Sequence, residues 1–278
     1  MRVVTWNVWW RFGPRWRDRQ PGIAAVLAGL RPDVVGLQES WATDRTSQAA
    51  ELGGRLGLHA AFSGPSLPPV PVPPEHPEQA GVELGLGLLS RWPIDRVSEH
   101  RLPATHREPP VAMVATLAHP DGPLHVVVSC VEWEPEYAAD QLAQTEALAA
   151  LATDPALDGP LPVLLLADLN APPGVAQARP LFTSMIDTWV AGSGDPGAVT
   201  LSSTHPSAPV EARHLIDRRI DYVLARPGRP GTRVPVRQAF VAGDGLVDGV
   251  HPSDHYAVVA DLDLDLDLDL DRRIDPSW

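Results

Sequence analysis

The segment Val163-Leu164-Leu165-Leu166-Ala167-Asp168-Leu169-Asn170 decides how this chain is read. Its apolar run, bounded by prolines on both sides, describes a short buried strand. A carboxylate and, two residues later, a carboxamide stand at its C-terminal end. In the plain case they form an Asx-turn before Pro172 and Pro173. In the chemical case Asp168 takes a proton from water while Asn170 orients a phosphoryl oxygen.

The same arrangement recurs along the chain. Apolar runs at 3–8, 34–38, 84–89, 111–117, 124–131, 163–167, 220–225, 234–241 and 257–262 read as strands, and helical spacing marks 21–30, 47–56 and 136–151. The order opens strand, helix, strand, helix and then becomes strand-rich. That predicts an α/β (α+β) fold with a mixed, partly antiparallel sheet rather than a doubly wound one. Asn7 interrupts the first run and Glu39 follows 34–38, so both, like Asp168, sit at strand C-terminal ends. Asp221 opens 220–225, and Asp254-His255 precede 257–262, at N-terminal ends. Antiparallel neighbours bring these two kinds of end to one sheet edge, where the groups are expected to converge.

Oxygen and amide donors without cysteine suit a hard cation. Mg²⁺ is usually held by one or two carboxylates, water and substrate phosphate, and Mn²⁺ accepts similar donors. Glu39 is the best single candidate ligand. His255 as an imidazolium could stabilise phosphate charge, with Asp221 or Asp254 accepting its other N–H. The set describes metal-assisted hydrolysis of a phosphate ester. Each residue also has a plain role: Asn7 as a strand cap, Glu39 as an acid at a helix start, Asp254 and His255 as a capped turn.

Composition bounds the alternatives. The 278 residues, 44% hydrophobic, fit one domain or two small ones and exclude a mainly disordered chain. No stretch approaches the roughly 18 apolar residues of a membrane helix, and the first residues read as a strand, so a cytoplasmic protein is expected. The single cysteine, Cys130, excludes an internal disulfide and a cysteine-based zinc site. Basic residues, all arginine, number 22 against 35 acidic, and the resulting charge of −13 disfavours a protein that coats nucleic acid. The Asp-Leu repeat from Asp261 to Asp271, with Arg272, Arg273 and Asp275, holds −5 of that charge. Residues 263–278 read as a frayed tail behind a domain of residues 1–262. A calcium loop would need a glycine and a downstream glutamate, both missing there. Seven prolines within 64–81 mark a surface loop.

Six blocks now fall in one order: Thr5-Trp6-Asn7, Leu37-Gln38-Glu39, Gly87-Leu88-Leu89-Ser90-Arg91-Trp92-Pro93-Ile94, Ala167-Asp168-Leu169-Asn170, Arg219-Ile220-Asp221-Tyr222-Val223 and Ser253-Asp254-His255. Each is weak alone, but their succession resembles the signature of the endonuclease/exonuclease/phosphatase superfamily. The resemblance implies a DNase I-like, four-layer sandwich of two packed mixed β-sheets flanked by helices, with a Mg²⁺-dependent site at one edge. It implies that Asn7, Glu39 and Asp254 serve the metal, that Asp168 orients or deprotonates the attacking water, and that Asn170 binds phosphate. It also places His255 on the scissile phosphate with Asp221 behind it.

One block departs from the pattern. Where the family usually has a histidine after a small polar residue, this chain has Ser129-Cys130-Val131. A thiol is a weak donor and replaces an imidazolium poorly. His106, His205 or His214 could substitute from a loop. The segment from Trp9 to Arg19 interleaves aromatics and arginines beside Asn7, so Trp9, Arg11 and Trp16 either stack against a substrate or form a packed lid. The expected function is a metal-dependent hydrolase of a phosphodiester or phosphomonoester, its partner being a nucleotide, nucleic acid, sugar or lipid phosphate. The alternative is a catalytically weakened phospho-ligand or metal-binding scaffold.

Overall fold

The computed structural model describes residues 1–264 apart from 14, 210–211 and 230–231, so most of the expected acidic tail lies outside the described residues. The chain runs β1 (Arg2–Asn7), α1 (Trp16–Leu30), β2 (Val34–Ala42), α2 (Gln48–Leu56), β3 (His59–Ser63), β4 (Glu83–Ser90), β5 (Ile94–Arg101) and β6 (Val111–His119). It continues with β7 (Gly122–Cys130), α3 (Ala138–Ala152), β8 (Val163–Asp168), α4 (Arg179–Ser184), β9 (Ile186–Asp187), α5 (Thr188–Ala191), β10 (Asp221–Arg226), β11 (Val236–Ala242) and β12 (Ala257–Leu262).

These strands make two six-stranded mixed sheets, ordered β11-β12-β1-β2-β4-β3 and β5-β6-β7-β8-β10-β9. Period-two side-chain alternation builds the layers. Val3, Val34, Leu86 and Leu88 of the first sheet meet Val126, Val128, Leu164 and Leu166 of the second in a shared core. Their neighbours face outward. Val4, Val35 and Leu37 pack on Ile23 and Leu27 of α1 and on Leu52 of α2, while Val127, Leu165 and Ala167 pack on Leu148 of α3 and Leu181 of α4. Helix, sheet, sheet, helix is the expected four-layer sandwich. Gly36 permits the close approach of the sheets, since a Cβ there would lie 2.7 Å from the Cβ of Leu166.

Each sheet carries one parallel pair whose C-terminal ends share an edge. β1 lies parallel to β2 with Asn7 opposite Gln38, and β7 lies parallel to β8 with Cys130 opposite Asp168. Antiparallel β10 puts Asp221 opposite Asp168, and antiparallel β12 returns Asp254-His255 to the end of β1. Three strands escape the sequence reading: β3, β5 and the two-residue β9. β3 is a short edge, and β5, also an edge strand, is polar on both faces and mostly exposed. α1 begins at Trp16 rather than at Pro21, because Trp16 and Arg19 are themselves buried.

Candidate active site

The shared edge opens into a cleft of about 490 Å³ lined by Trp9, Glu39, Cys130, Asp168, Asn170, Asp254 and His255, among others. Asn7 lies beneath it, buried. Its Nδ2 donates to Glu39 Oε1 at 2.8 Å and to Asp168 Oδ2 at 3.0 Å, so one amide joins an acid of the first sheet to an acid of the second. Its Oδ1 accepts the N–H of Trp9.

Glu39 reaches the cleft through a bulge. The register of β2 against β4 shifts between Leu37 and Ser40, and Glu39 takes φ 52°, left-handed for a residue with a Cβ. Gln38 consequently turns inward, accepting from Thr5 Oγ1 and donating to Leu166 O across the two sheets. Glu39 Oε2 is buried and has no hydrogen-bond partner. Burial first, and then the negative charge of Asp254, raise its pKa to about 8.

On the second sheet, Asp168 Oδ1 accepts from the backbone N–H of Asn170, the expected Asx-turn, while its Oδ2 takes Asn7. Burial and the adjacent Asp221 raise its pKa to about 7. Asn170, at φ 46°, donates Nδ2 to Val131 O at 2.9 Å. His255 Nδ1 lies 3.0 Å from Asp221 Oδ2, which settles between the two aspartates left open by spacing. Burial opposes the imidazolium, but Asp221, Asp168 and Asp254 together outweigh it and hold its pKa well above the usual histidine value. Asp254 is raised by burial, against the pull of His255 and Arg19.

The donor set fits a divalent cation. Glu39 Oε2 is a buried carboxylate oxygen without any partner. Asn7, expected to serve the metal, turns its Nδ2 to Glu39 and its Oδ1 to the N–H of Trp9 instead. Ligand atoms of Asp168, Asp221 and His255 also lie within 4.8 Å of one another. A charged histidine cannot ligate, however, and its Nδ1 already engages Asp221, so that trio is better read as a charge and proton network.

Cys130, which the resemblance sets against the family's histidine, lines the cleft with its Sγ 4.0 Å from Asp168 Oδ2. Burial and the surrounding acids push the thiol well above its usual pKa, so it brings no charge. None of the suggested substitutes is among the described residues lining the cleft. His214 faces Trp133 O, His106 stacks on Tyr137, and His205 is driven down to about 4 by burial and by His251.

The Trp-rich segment divides. Trp9 lines the cleft, whereas Arg11 is sandwiched between Trp16 and Trp41 at 4.3 and 4.6 Å. Arg11 and Trp16 border an adjoining cleft instead, where both engage Glu78. Sequence reasoning missed the residue that shapes this loop. Arg19, only 2% exposed, donates to the carbonyls of Val8, Trp9, Trp10 and Phe12. Ser253 was missed too, and its Oγ donates to Asn7 O at 2.7 Å. Only its place in the block Ser253-Asp254-His255 could have signalled it.

Among solved structures, humanized D. rerio TDP2 carrying 14 mutations superposes with a TM-score of 0.73 at 17% identity, covering 95% of this chain and 98% of that one. Truncated Caenorhabditis elegans TDP2 gives 0.70 at 16%, covering 94% and 96%. An endonuclease/exonuclease/phosphatase from Beutenbergia cavernae gives 0.66 at 26%, covering 94% and 71%. No curated protein matches the sequence. The sequence pattern of one family matches residues 4–255, which takes in every strand-end residue from Asn7 to His255, and the chain belongs to the Endonuclease/Exonuclease/phosphatase family.

Proposed function

We propose that the protein is a Mg²⁺- or Mn²⁺-dependent phosphoesterase that hydrolyses a phosphodiester or phosphomonoester in this cleft. One observation carries the reading: a single cleft gathers Glu39, Asp168, Asn170, Asp254 and His255 from two sheets. Glu39 and Asp254 would hold the cation, which when bound polarises a phosphoryl oxygen. Asn7 holds Glu39 and Asp168 apart by donating to both. Asp168, raised to about 7, is matched to accepting a proton from water near neutrality. Its Oδ1 is fixed by the Asn170 N–H, which orients it. His255, kept charged by Asp221, faces the negative charge that grows on the phosphate. Trp9 offers an apolar wall for the alcohol group, backed by Arg19, whose guanidinium carbon lies 4.4 Å from its ring centre.

A related TDP2 from D. rerio has been solved with a single-strand DNA product. The charge of −13 nonetheless favours a short phosphate ester over a long duplex here. Purified protein should hydrolyse an aryl phosphodiester or monoester with Mg²⁺ or Mn²⁺, and Asp168→Ala should lower the rate by at least about 10³-fold. Equal rates for variant and wild type would sink the mechanism. Neutral Cys130 favours a second reading, a metal-binding phospho-ligand scaffold. Metal binding by calorimetry without turnover, and activity gained on Cys130→His, would select it.

A further inference from the structure

Apart from the strand-end residues, one cluster at the rim of the cleft sets an imidazole against two carboxylates. His106 comes from the loop between β5 and β6, and Glu132 and Glu134 lie just beyond β7. One ligand atom from each lies within 4.8 Å of the other two. Acidic clusters alone are common, but here a second set of residues holds the ligand atoms.

His106 Nδ1 lies 3.0 Å from Asp140 Oδ2. Asp140 also takes the N–H and the hydroxyl of Thr105, so it is an acceptor and His106 Nδ1 donates to it. The neutral ring then carries its lone pair on Nε2, and Tyr137 stacks flat against it. A carboxylate behind the far nitrogen is the usual support of a metal-ligating histidine. Glu132 is fully buried, and its Oε1 accepts the N–H groups of Trp133 and Glu134. Its Oε2 is left with no hydrogen-bond partner. That oxygen lies 3.4 Å from His106 Nε2. Tetrahedral Zn²⁺, with bonds to nitrogen and oxygen of about 2.0–2.1 Å, sets two ligand atoms about 3.3–3.4 Å apart.

Arg107 supplies the positive charge at this place. Its Nε donates to His106 Nε2 and lies 3.4 Å from Glu132 Oε2, while Nη2 pairs with Glu134 Oε2 at 3.0 Å. The guanidinium therefore touches the same three residues that a metal ion would. It does so at a cost, since Nη1 is buried without a hydrogen-bond partner. A divalent ion would neutralise both glutamates and take the Nε2 lone pair.

We propose that His106, Glu132 and Glu134 form a Zn²⁺ site, with Asp140 orienting His106 and Arg107 as the cation that the metal displaces. An imidazole beside two carboxylates selects Zn²⁺ over Mg²⁺, which separates this site from the oxygen donors Glu39 and Asp254. Bound metal would tie the loop between β5 and β6 to the end of β7, where the Val131 carbonyl holds Asn170. The inference stands apart from the phosphoesterase reading.

Calorimetry tests it, titrating Zn²⁺ into the full chain in excess Mg²⁺, which occupies the oxygen site. Wild type should bind one Zn²⁺ tightly. Asp140→Asn should weaken binding by about 10–100-fold, and His106→Gln or Glu134→Gln by at least as much. Glu39→Gln should leave it unchanged. Arg107→Met should bind at least about tenfold more tightly, since the metal no longer has charge-assisted contacts to break. Co²⁺ in place of Zn²⁺ should give the strong visible absorption of a tetrahedral ion. Failure of wild type to bind Zn²⁺, unchanged binding in His106→Gln and Glu134→Gln, or no tightening in Arg107→Met overturns the inference. Thermal unfolding without metal checks each variant. Should His106→Gln fail to fold, Glu134→Gln decides, because the Glu134 side chain is 36% exposed and outside the core.

Discussion

Glu39 stores an electrostatic penalty that a cation should release, and Glu39→Gln exposes it. In the metal-free protein, burial and Asp254 move this carboxyl from 4.5 to about 8. A shift of that size opposes ionisation by at most about 5 kcal/mol, and sharing the charge with Asp254 and Asp168 lowers the figure to about 2–4 kcal/mol. The sign follows from the direction. The folded state holds the Glu39 proton more tightly than the unfolded chain does, so the stability that goes with the protonated carboxyl is fully present below pH about 4.5 and is lost as pH rises through about 8. Glu39→Gln cannot ionise, and its amide oxygen can still accept from Asn7. Without metal, near pH 8, the variant should melt about 5–10 °C above wild type, while near pH 4.5 the two should coincide. Excess Mg²⁺ should raise the melting temperature of wild type near pH 8 and leave Glu39→Gln unmoved. Thermal unfolding followed by circular dichroism, with chelator and with Mg²⁺, measures all four values. A variant no more stable than wild type at high pH, and equally stabilised by Mg²⁺, would refute the reasoning.

Further outcomes follow from the same geometry. Asp221→Asn removes the nearest charge supporting the His255 imidazolium, so burial should win and its pKa should fall; activity should drop about 10²–10³-fold, with the loss deepening as pH rises in a pH–rate profile. Cys130 is buried, with its pKa pushed well up, so a thiol reagent should leave it unmodified in native protein and label it fully after denaturation, as counted by mass spectrometry. Gly36→Ala forces a methyl to within 2.7 Å of Leu166 Cβ and should destabilise by about 1–3 kcal/mol in urea unfolding.

Much of the candidate site could be read from polarity at strand ends, where carboxylates and amides close or open apolar runs that the fold brings to one edge. Glu39, Asp168 and His255 were found in that way, and the order of blocks supplied the pairing of His255 with Asp221. What escaped reading depends on contacts distant in sequence. Arg19 looks like any helix arginine until four loop carbonyls surround it. Arg107 sits in an irregular stretch, and only the folded chain brings it over Trp133. Gln38 and Glu39 are adjacent and chemically alike, yet a bulge sends one across the sheets and the other into the cleft. Arg11 and Trp16 show the reverse case, since an aromatic and basic motif is satisfied largely by its own members and Trp41.

The Asn7 amide has a wider consequence. Because its two hydrogen bonds end on acids from different sheets, the gap between the sheets is itself a dimension of the candidate active site. A methyl added at Gly36, in the core against Leu166, would press on that gap and tend to stretch the amide bridge. Core packing and turnover should therefore vary together in this molecule. Activity, once measured, would act as a sensitive gauge of how closely two hydrophobic faces are seated.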